Sequence, residues 1–197
     1  MGYSVEGGSS NCYEGTLTLI NKLDIRDEEE LARLETIMTT TRITMLLNEP
    51  YDGELSAEHY CDLHRAIMGD IYDWAGSVRT VPLSKKGTHF HSPEGLERDM
   101  KLLFGYLAEE GCFLDRTGEE YARCIAEFYS DLNLLHPFRE GNGRTQRVLI
   151  TQLIERSGRS IDFSRCDKEG LMIATIFAAQ GVLDQLTDFF IGSINNI

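Results

Sequence analysis

The strongest constraint on the fold is an apolar stripe near the middle of the chain. Tyr121, Ile125, Phe128, Leu132 and Leu135 recur at steps of four and three, so they lie on one face of a helix that must be buried. Thr117 and Glu120 stand where a capping box would open that helix. Pro137 forbids its smooth continuation. A helix of this kind needs other helices around it, and the chain supplies the signals. Asp27 with Glu30 predicts a capped helix reaching about Leu47, before Pro50. Ser56 caps a second, with Tyr60, Leu63, His64 and Ile67 at helical spacing. Ser92 followed by Pro93 predicts a third, running to Gly111. After Gly141-Asn142-Gly143, Val148, Leu149, Leu153 and Ile154 mark another that stops near Gly158. Two further helical stretches are expected between Asp167 and Ile194.

One stretch breaks the pattern. Ser77 to His91 alternates β-type residues around Lys85-Lys86-Gly87, which predicts a short hairpin. The expected architecture is therefore mainly α, a helical bundle with one β-hairpin flap. Residues 1–12, opening on a Gly- and Ser-rich run, are expected to be a loose arm, and residues 13–197 a single domain.

Charge narrows the function. Nineteen Lys+Arg against thirty-two Asp+Glu leave a net charge of −13. Such a surface repels phosphate backbones, which disfavours direct nucleic-acid or anionic-membrane binding. The longest charge-free run, Gly170 to Leu183, is too short for a spanning helix of about 20 residues. The N-terminus has no basic-then-apolar start, and five scattered cysteines without CxxC spacing fit a reducing, cytoplasmic setting.

Against this acidic background, His136 to Arg165 holds six arginines and only three acids. Within it, residues 136–147 read HPFREGNGRTQR. His136, fixed at the end of a buried helix, is placed to accept a proton near neutral pH. Gly141-Asn142-Gly143 is compact enough for backbone N–H groups to surround a phosphate at the start of a helix. Arg144 and Arg147 lie three apart in its first turn, so both can fork onto phosphate oxygens. Glu140 is suited to ligate a Mg²⁺ that bridges phosphates. No GxxxxGK[ST] or GxGxxG is present, so P-loop and dinucleotide-fold readings have no support.

The segment resembles the Fic family signature, HxFx[D/E]GNGRxxR, at all eight specified positions. LHRAIMGDIYDWAGSVRTVPLSKKGTHF is similar to the helix and active-site flap that precede that motif in Fic enzymes. YEGTLTLINKLDIRDEEEL is similar to the opening of free-standing bacterial Fic toxins. The resemblance implies a protein adenylyltransferase that moves AMP from ATP onto a Tyr, Thr or Ser hydroxyl of a target protein. On that basis His136 is the base, Phe138 anchors the motif, and Glu140 holds Mg²⁺. Gly141, Asn142 and Gly143 cradle the α- and β-phosphates, Arg144 takes the β-phosphate and Arg147 the γ-phosphate. Val81, Pro82, Leu83, Ser84 and Lys85 form a flap that pairs edge-on with an extended target segment. Relatives that transfer phosphate carry Lys where this chain has Gly143, and phosphocholine-transferring relatives carry Ala at Gly141, so AMP is favoured over another phosphate-containing group. A catalytically idle binding module is the alternative from another class, and intact His136, Arg144 and Arg147 weigh against it.

The resemblance also implies control by a helix bearing [S/T]xxxE[G/N], whose Glu pairs with the second arginine of the motif. The literal match at Ser10 to Gly15 is discounted, because Glu-Gly occurs six times in this chain. A small separate antitoxin is expected instead, and a type II topoisomerase subunit is the expected target by resemblance to stand-alone toxins. Other histidines read as structural: His89 and His91 as polar flap residues rather than a zinc site, His59 and His64 as satisfied helix residues. Trp74 reads as a packing anchor and Cys124 as core.

Overall fold

A computed structural model describes residues 4–5, 11–85 and 88–196. A two-residue strand, β1 (Ser4–Val5), comes first. Helices α1 (Glu28–Leu47) and α2 (Ala57–Met68) follow. Strands β2 (Leu83–Lys85) and β3 (Thr88–His89) form the hairpin. Then come α3 (Leu96–Glu109), α4 (Gly118–Leu135) and α5 (Asn142–Arg156). The remainder is β4 (Ser160–Ile161), α6 (Lys168–Ala178), α7 (Asp184–Ser193) and β5 (Ile194–Asn195).

The expected helical architecture is what the chain adopts. Helix α4 is the hub, packed against α3, α5 and α7, and α5 is in turn packed against α2 and α1. Its stripe residues Tyr121, Ile125, Phe128, Leu132 and Leu135 are all buried. In α5 every residue from Val148 to Ile154 is buried, so this helix runs through the interior with the site at its N-terminus. Two caps form as expected: Glu30 N–H donates to Asp27 Oδ1 at 2.8 Å and His59 N–H to Ser56 Oγ at 3.2 Å.

Two helix starts differ. Thr117 makes no side-chain cap at α4. Gly118 turns the chain with φ of 56°, and Glu120 is taken by Arg116 at 3.2 Å instead of reaching back. Helix α3 begins at Leu96, not at Pro93, because Gly95 at φ 89° forms the entry and the Ser92 hydroxyl is spent on Glu94. Cys124 is a second correction. It lies on the flank of the α4 stripe and is half-buried, packed against the core without being part of it. Trp74 does pack as an anchor, stacked on Tyr72 with centroids 4.4 Å apart.

The hairpin is real but short. Strands β2 and β3 pair Ser84 with His89 and Lys85 with Thr88, while residues 86–87 between them lie outside the described residues. Before Leu83 the chain forms no strand and bends at Val81, tied down by Arg79 N–H donating to the Pro137 carbonyl at 2.8 Å. Strand β1 adds to the other side of β2, pairing Ser4 with Ser84 and Val5 with Leu83. The order β1-β2-β3 therefore leaves β2 in the middle. Of the expected N-terminal arm, residues 4 and 5 pair in this way; residues 1–3 and 6–10 lie outside the described residues. Among the described residues no helix is long and apolar enough to cross a membrane.

Candidate active site

His136 is the C-cap of α4 and adopts a left-handed backbone, φ 45° and ψ 57°. For a non-glycine residue this conformation costs about 1–3 kcal/mol and persists only where its surroundings impose it. Three contacts do so. Its N–H donates to the Leu132 carbonyl at 3.2 Å. Its carbonyl accepts from Arg79 Nε at 2.7 Å. Its ring stacks on Phe90 with centroids 3.8 Å apart and planes within 9°. Nδ1 lies 3.1 Å from the Asn133 carbonyl. A carbonyl only accepts, so Nδ1 carries the proton and Nε2 is the basic nitrogen. Burial first, then the positive charges of Lys85 and Arg79, push the imidazole down to about 3. It is held neutral, with a proton affinity well below the near-neutral one expected from the sequence, because burial disfavours the charged ring.

Asn142 holds the loop. Its Oδ1 accepts from Phe138 N–H at 2.8 Å and its Nδ2 donates to the Phe138 carbonyl at 2.6 Å. The side chain is thus engaged with the motif's own backbone. What it leaves toward a ligand is main chain: the N–H groups of Asn142 and Gly143, in the first turn of α5, have no protein acceptor among the described residues. Such donors, with the helix dipole behind them, make an anion site.

Gly141 is required for two reasons. Its φ is +80°, and a Cβ there would come within 2.9 Å of Met68 Sδ and 3.2 Å of His64 Nε2. His64 supports this loop from below. Gly76 N–H donates to its Nδ1 at 2.7 Å, so Nε2 carries the proton and donates to the Glu140 carbonyl at 2.9 Å. Its ring stacks on the buried Phe138 at 3.8 Å. Burial drives His64 down to about 4, although the Glu140 carbonyl opposes the shift.

The two arginines diverge. Arg144 reaches α1, with Nη2 at 2.9 Å from Glu35 Oε2 and Nη1 at 3.2 Å from Thr39 Oγ1; the same Nη2 lies 3.3 Å from Glu140 Oε1. Arg147 turns toward α4, its charge against the buried Tyr129 hydroxyl. Among the described residues no carboxylate pairs with Arg147. The two cations thus point to different helices, Arg144 to α1 and Arg147 to α4, instead of converging on one point. Glu140 Oε1 also accepts Gly141 N–H at 2.8 Å.

Arg79, which no spacing marked, lies 4% exposed under the flap. It donates to four carbonyls: His136, Val81 at 2.7 Å, His91 at 2.6 Å and Leu135 at 3.3 Å. Burial without a counter-charge lowers it to about 10. It joins the flap residues Val81 to Lys85 to the end of α4. The remaining histidines sit elsewhere. His59 bonds Gln152 Oε1 at 2.8 Å and stacks on Tyr51, and His91 lies 3.9 Å from Asp99. Among the described residues no three metal-ligating side chains cluster.

The Fic/DOC family pattern matches residues 54–154. The chain is 38% identical to the probable protein adenylyltransferase y4lH of Sinorhizobium fredii, over 89% of this chain and 90% of that protein. It is 31% identical to the probable protein adenylyltransferase Fic of Salmonella typhimurium, over 94% and 92% of the two. In structure it is similar to BepC of Bartonella tribocorum, solved with bound AMPPNP, at a TM-score of 0.89 and 25% identity over 95% and 97% of the chains. An ADP-bound Fic domain from Bartonella quintana aligns at 0.88 with 27% identity, over 94% of each chain. A helical bundle with this motif at the α4–α5 junction defines the class of Fic-fold proteins. The chain belongs to the Fic/DOC family.

Proposed function

We propose that this protein transfers AMP from Mg-ATP to a Tyr, Thr or Ser hydroxyl of a target protein. The observation that carries the reading is the juxtaposition at the end of α4: a neutral imidazole with Nε2 as its base, beside two unpaired N–H groups and two cations. Relatives named protein adenylyltransferases, and Fic structures holding AMPPNP or ADP, support it.

In this reading the N–H groups of Asn142 and Gly143 hold the α- and β-phosphates, Arg144 the β-phosphate and Arg147 the γ-phosphate. Nε2 of His136 takes the proton of the target hydroxyl as its oxygen attacks the α-phosphorus. The bond to the β-phosphate oxygen breaks, and pyrophosphate leaves with its charge on the arginines. Positioning and charge neutralisation supply most of the catalysis. Mg²⁺ would be held by Glu140 together with the phosphates, and it would neutralise charge on the leaving group. The donor set fits: one carboxylate at the phosphate loop, with Glu140 Oε1 already engaged, suits an ion that binds through one or two carboxylates plus substrate.

The target is an extended segment held at the flap, Val81 to Lys85. That β2 accepts strand pairing at its outer edge is supported by β1 doing so. We further read the protein as the toxin of a toxin–antitoxin pair acting in the cytoplasm, with a type II topoisomerase subunit as its target. Arg147 lacks a carboxylate partner among the described residues, and Glu14 is exposed. Both favour inhibition by a separate helical antitoxin carrying [S/T]xxxE[G/N].

The test is transfer of label from ATP to proteins of a bacterial lysate. Label from the α-phosphate, and none from the γ-phosphate, is the expected result. Equal marking by both would make the chain a phosphate-transferring relative.

A further inference from the structure

We propose that Glu35 of α1 is a positioning residue for nucleotide and metal, acting through Arg144. The inference rests on the adenylylating reading above and adds a residue outside the motif to its machinery. Of the twenty residues of α1, only Leu31 and Thr39 are buried, yet the Glu35 side chain is just 13% exposed because it faces the site.

Both of its oxygens are committed. Oε1 accepts the hydroxyl of Tyr72, and Oε2 accepts Arg144 Nη2 at 2.9 Å. Tyr72 is 1% exposed, and burial followed by the Glu35 charge holds its phenol protonated, so it is a permanent donor. Thr39, one turn further along α1, gives its hydroxyl proton to the Glu35 carbonyl at 2.6 Å. Its lone pair is then directed to Arg144 Nη1 at 3.2 Å. The helix itself is pinned by Arg42 to Asp70, Nη2 to Oδ2 at 2.6 Å, at the end of α2. Arg144 is thereby gripped from α1 by a fixed carboxylate and a fixed hydroxyl.

The consequence lies in how Arg144 divides its donors. A guanidinium has five N–H groups. Glu35, Thr39 and Glu140 take three, which leaves Nε–H and one Nη1–H for a phosphate. Nη2 spends both of its N–H groups on carboxylates, and unequally, at 2.9 Å to Glu35 and 3.3 Å to Glu140. Glu35 is the closer partner and draws Arg144 toward α1, so its bond to Glu140 is the longer of the two. Without it, Glu140 is the remaining counter-charge on Arg144. A full pair there would tie up the carboxylate that the metal needs and turn the arginine away from the phosphates. Glu35 thus takes the shorter contact with the motif's cation and holds its pairing with the metal ligand to the longer one.

This gives the proposal a signature that loss of packing alone would not produce, a changed metal requirement. ATP binding is measured by calorimetry at Mg²⁺ concentrations from limiting to saturating. The proteins compared are the wild type, Glu35→Gln and Tyr72→Phe, each checked by thermal melting. Glu35→Gln is expected to raise the Mg²⁺ concentration for half-maximal ATP binding about tenfold, as suits the loss of one charged partner. Tyr72→Phe should shift it in the same direction by less. In both, saturating Mg²⁺ should recover most of the binding.

A folded Glu35→Gln whose Mg²⁺ curve coincides with that of the wild type overturns the proposal. If Glu35→Gln does not fold, a folded Tyr72→Phe with an unmoved curve overturns it instead. A wild type that binds Mg-ATP but labels no lysate protein overturns the adenylylating reading alone, and the Mg²⁺ curves still decide the role of Glu35.

Discussion

The guanidinium of Arg79 donates to the backbone carbonyl of His136 at 2.7 Å, and through Val81 the same side chain holds the flap. The His136 backbone and the Val81 segment therefore share one buried cation. Arg79→Lys keeps the charge but cannot reach four carbonyls from one ammonium. It should destabilise the fold by about 1–3 kcal/mol, the cost of leaving buried acceptors unpaired. Transfer to target should weaken through KM for the target, with ATP affinity unchanged. Thermal melting and ATP calorimetry together check this, and an unshifted melting temperature would refute the stapling role.

His136→Ala removes the imidazole proposed as the base and leaves the Asn142 and Gly143 N–H groups in place. Transfer should fall by about 10²–10⁴ while ATP affinity stays within a few-fold of wild type. Labelled-ATP assays and calorimetry on the same preparation measure both halves.

Acid should loosen the protein before its carboxylates titrate. His64 and His136 are pushed down to about 4 and about 3 from an ordinary 6.5. Between those values the unfolded chain binds more protons than the folded one, so stability falls as pH falls. The contribution is complete above about pH 6.5 and erodes as the pH drops toward 4. Melting temperatures at pH 7.5, 6.0 and 5.0 should decline in that order. His136→Ala should flatten part of the slope, and a level profile would mean that neither ring is held neutral.

Inhibition should come from outside the described chain. A helical peptide carrying [S/T]xxxE[G/N] should lower ATP affinity of the wild type and have no effect on Arg147→Ala. Glu14→Gly should leave the rate of the purified protein within about twofold, as is usual for an exposed surface position. A tenfold rise on Glu14→Gly would place the inhibitor within this chain, at Ser10 to Gly15.

Much of the fold was readable because periodicity and caps are local. The α4 stripe, the Asp27 and Ser56 caps and the Pro137 break all act within one or two turns. The motif was readable too, since its loop and helix start are contiguous in sequence. What sequence did not show is long-range. Glu35 and Thr39 meet Arg144 from more than a hundred residues away, and Glu35 looks like any acid on a polar helix. Arg79 carries no spacing signal, because its partners are backbone carbonyls from the flap and α4, which any residue type supplies. The Thr117 cap failed for a reason of context: Arg116, adjacent in sequence, competes for Glu120.

Strand β1 sits along the outer edge of β2, where an incoming target segment would lay its own backbone. Such a segment therefore meets a rival carried by the enzyme itself. A tethered strand acts at an effective concentration on the order of millimolar, against which a free protein at micromolar levels competes poorly. Selectivity then takes the form of an entry threshold. On the proposed docking mode, a partner that also binds elsewhere on the surface, and so raises its own local concentration, would clear the edge and reach His136 more readily than one that does not.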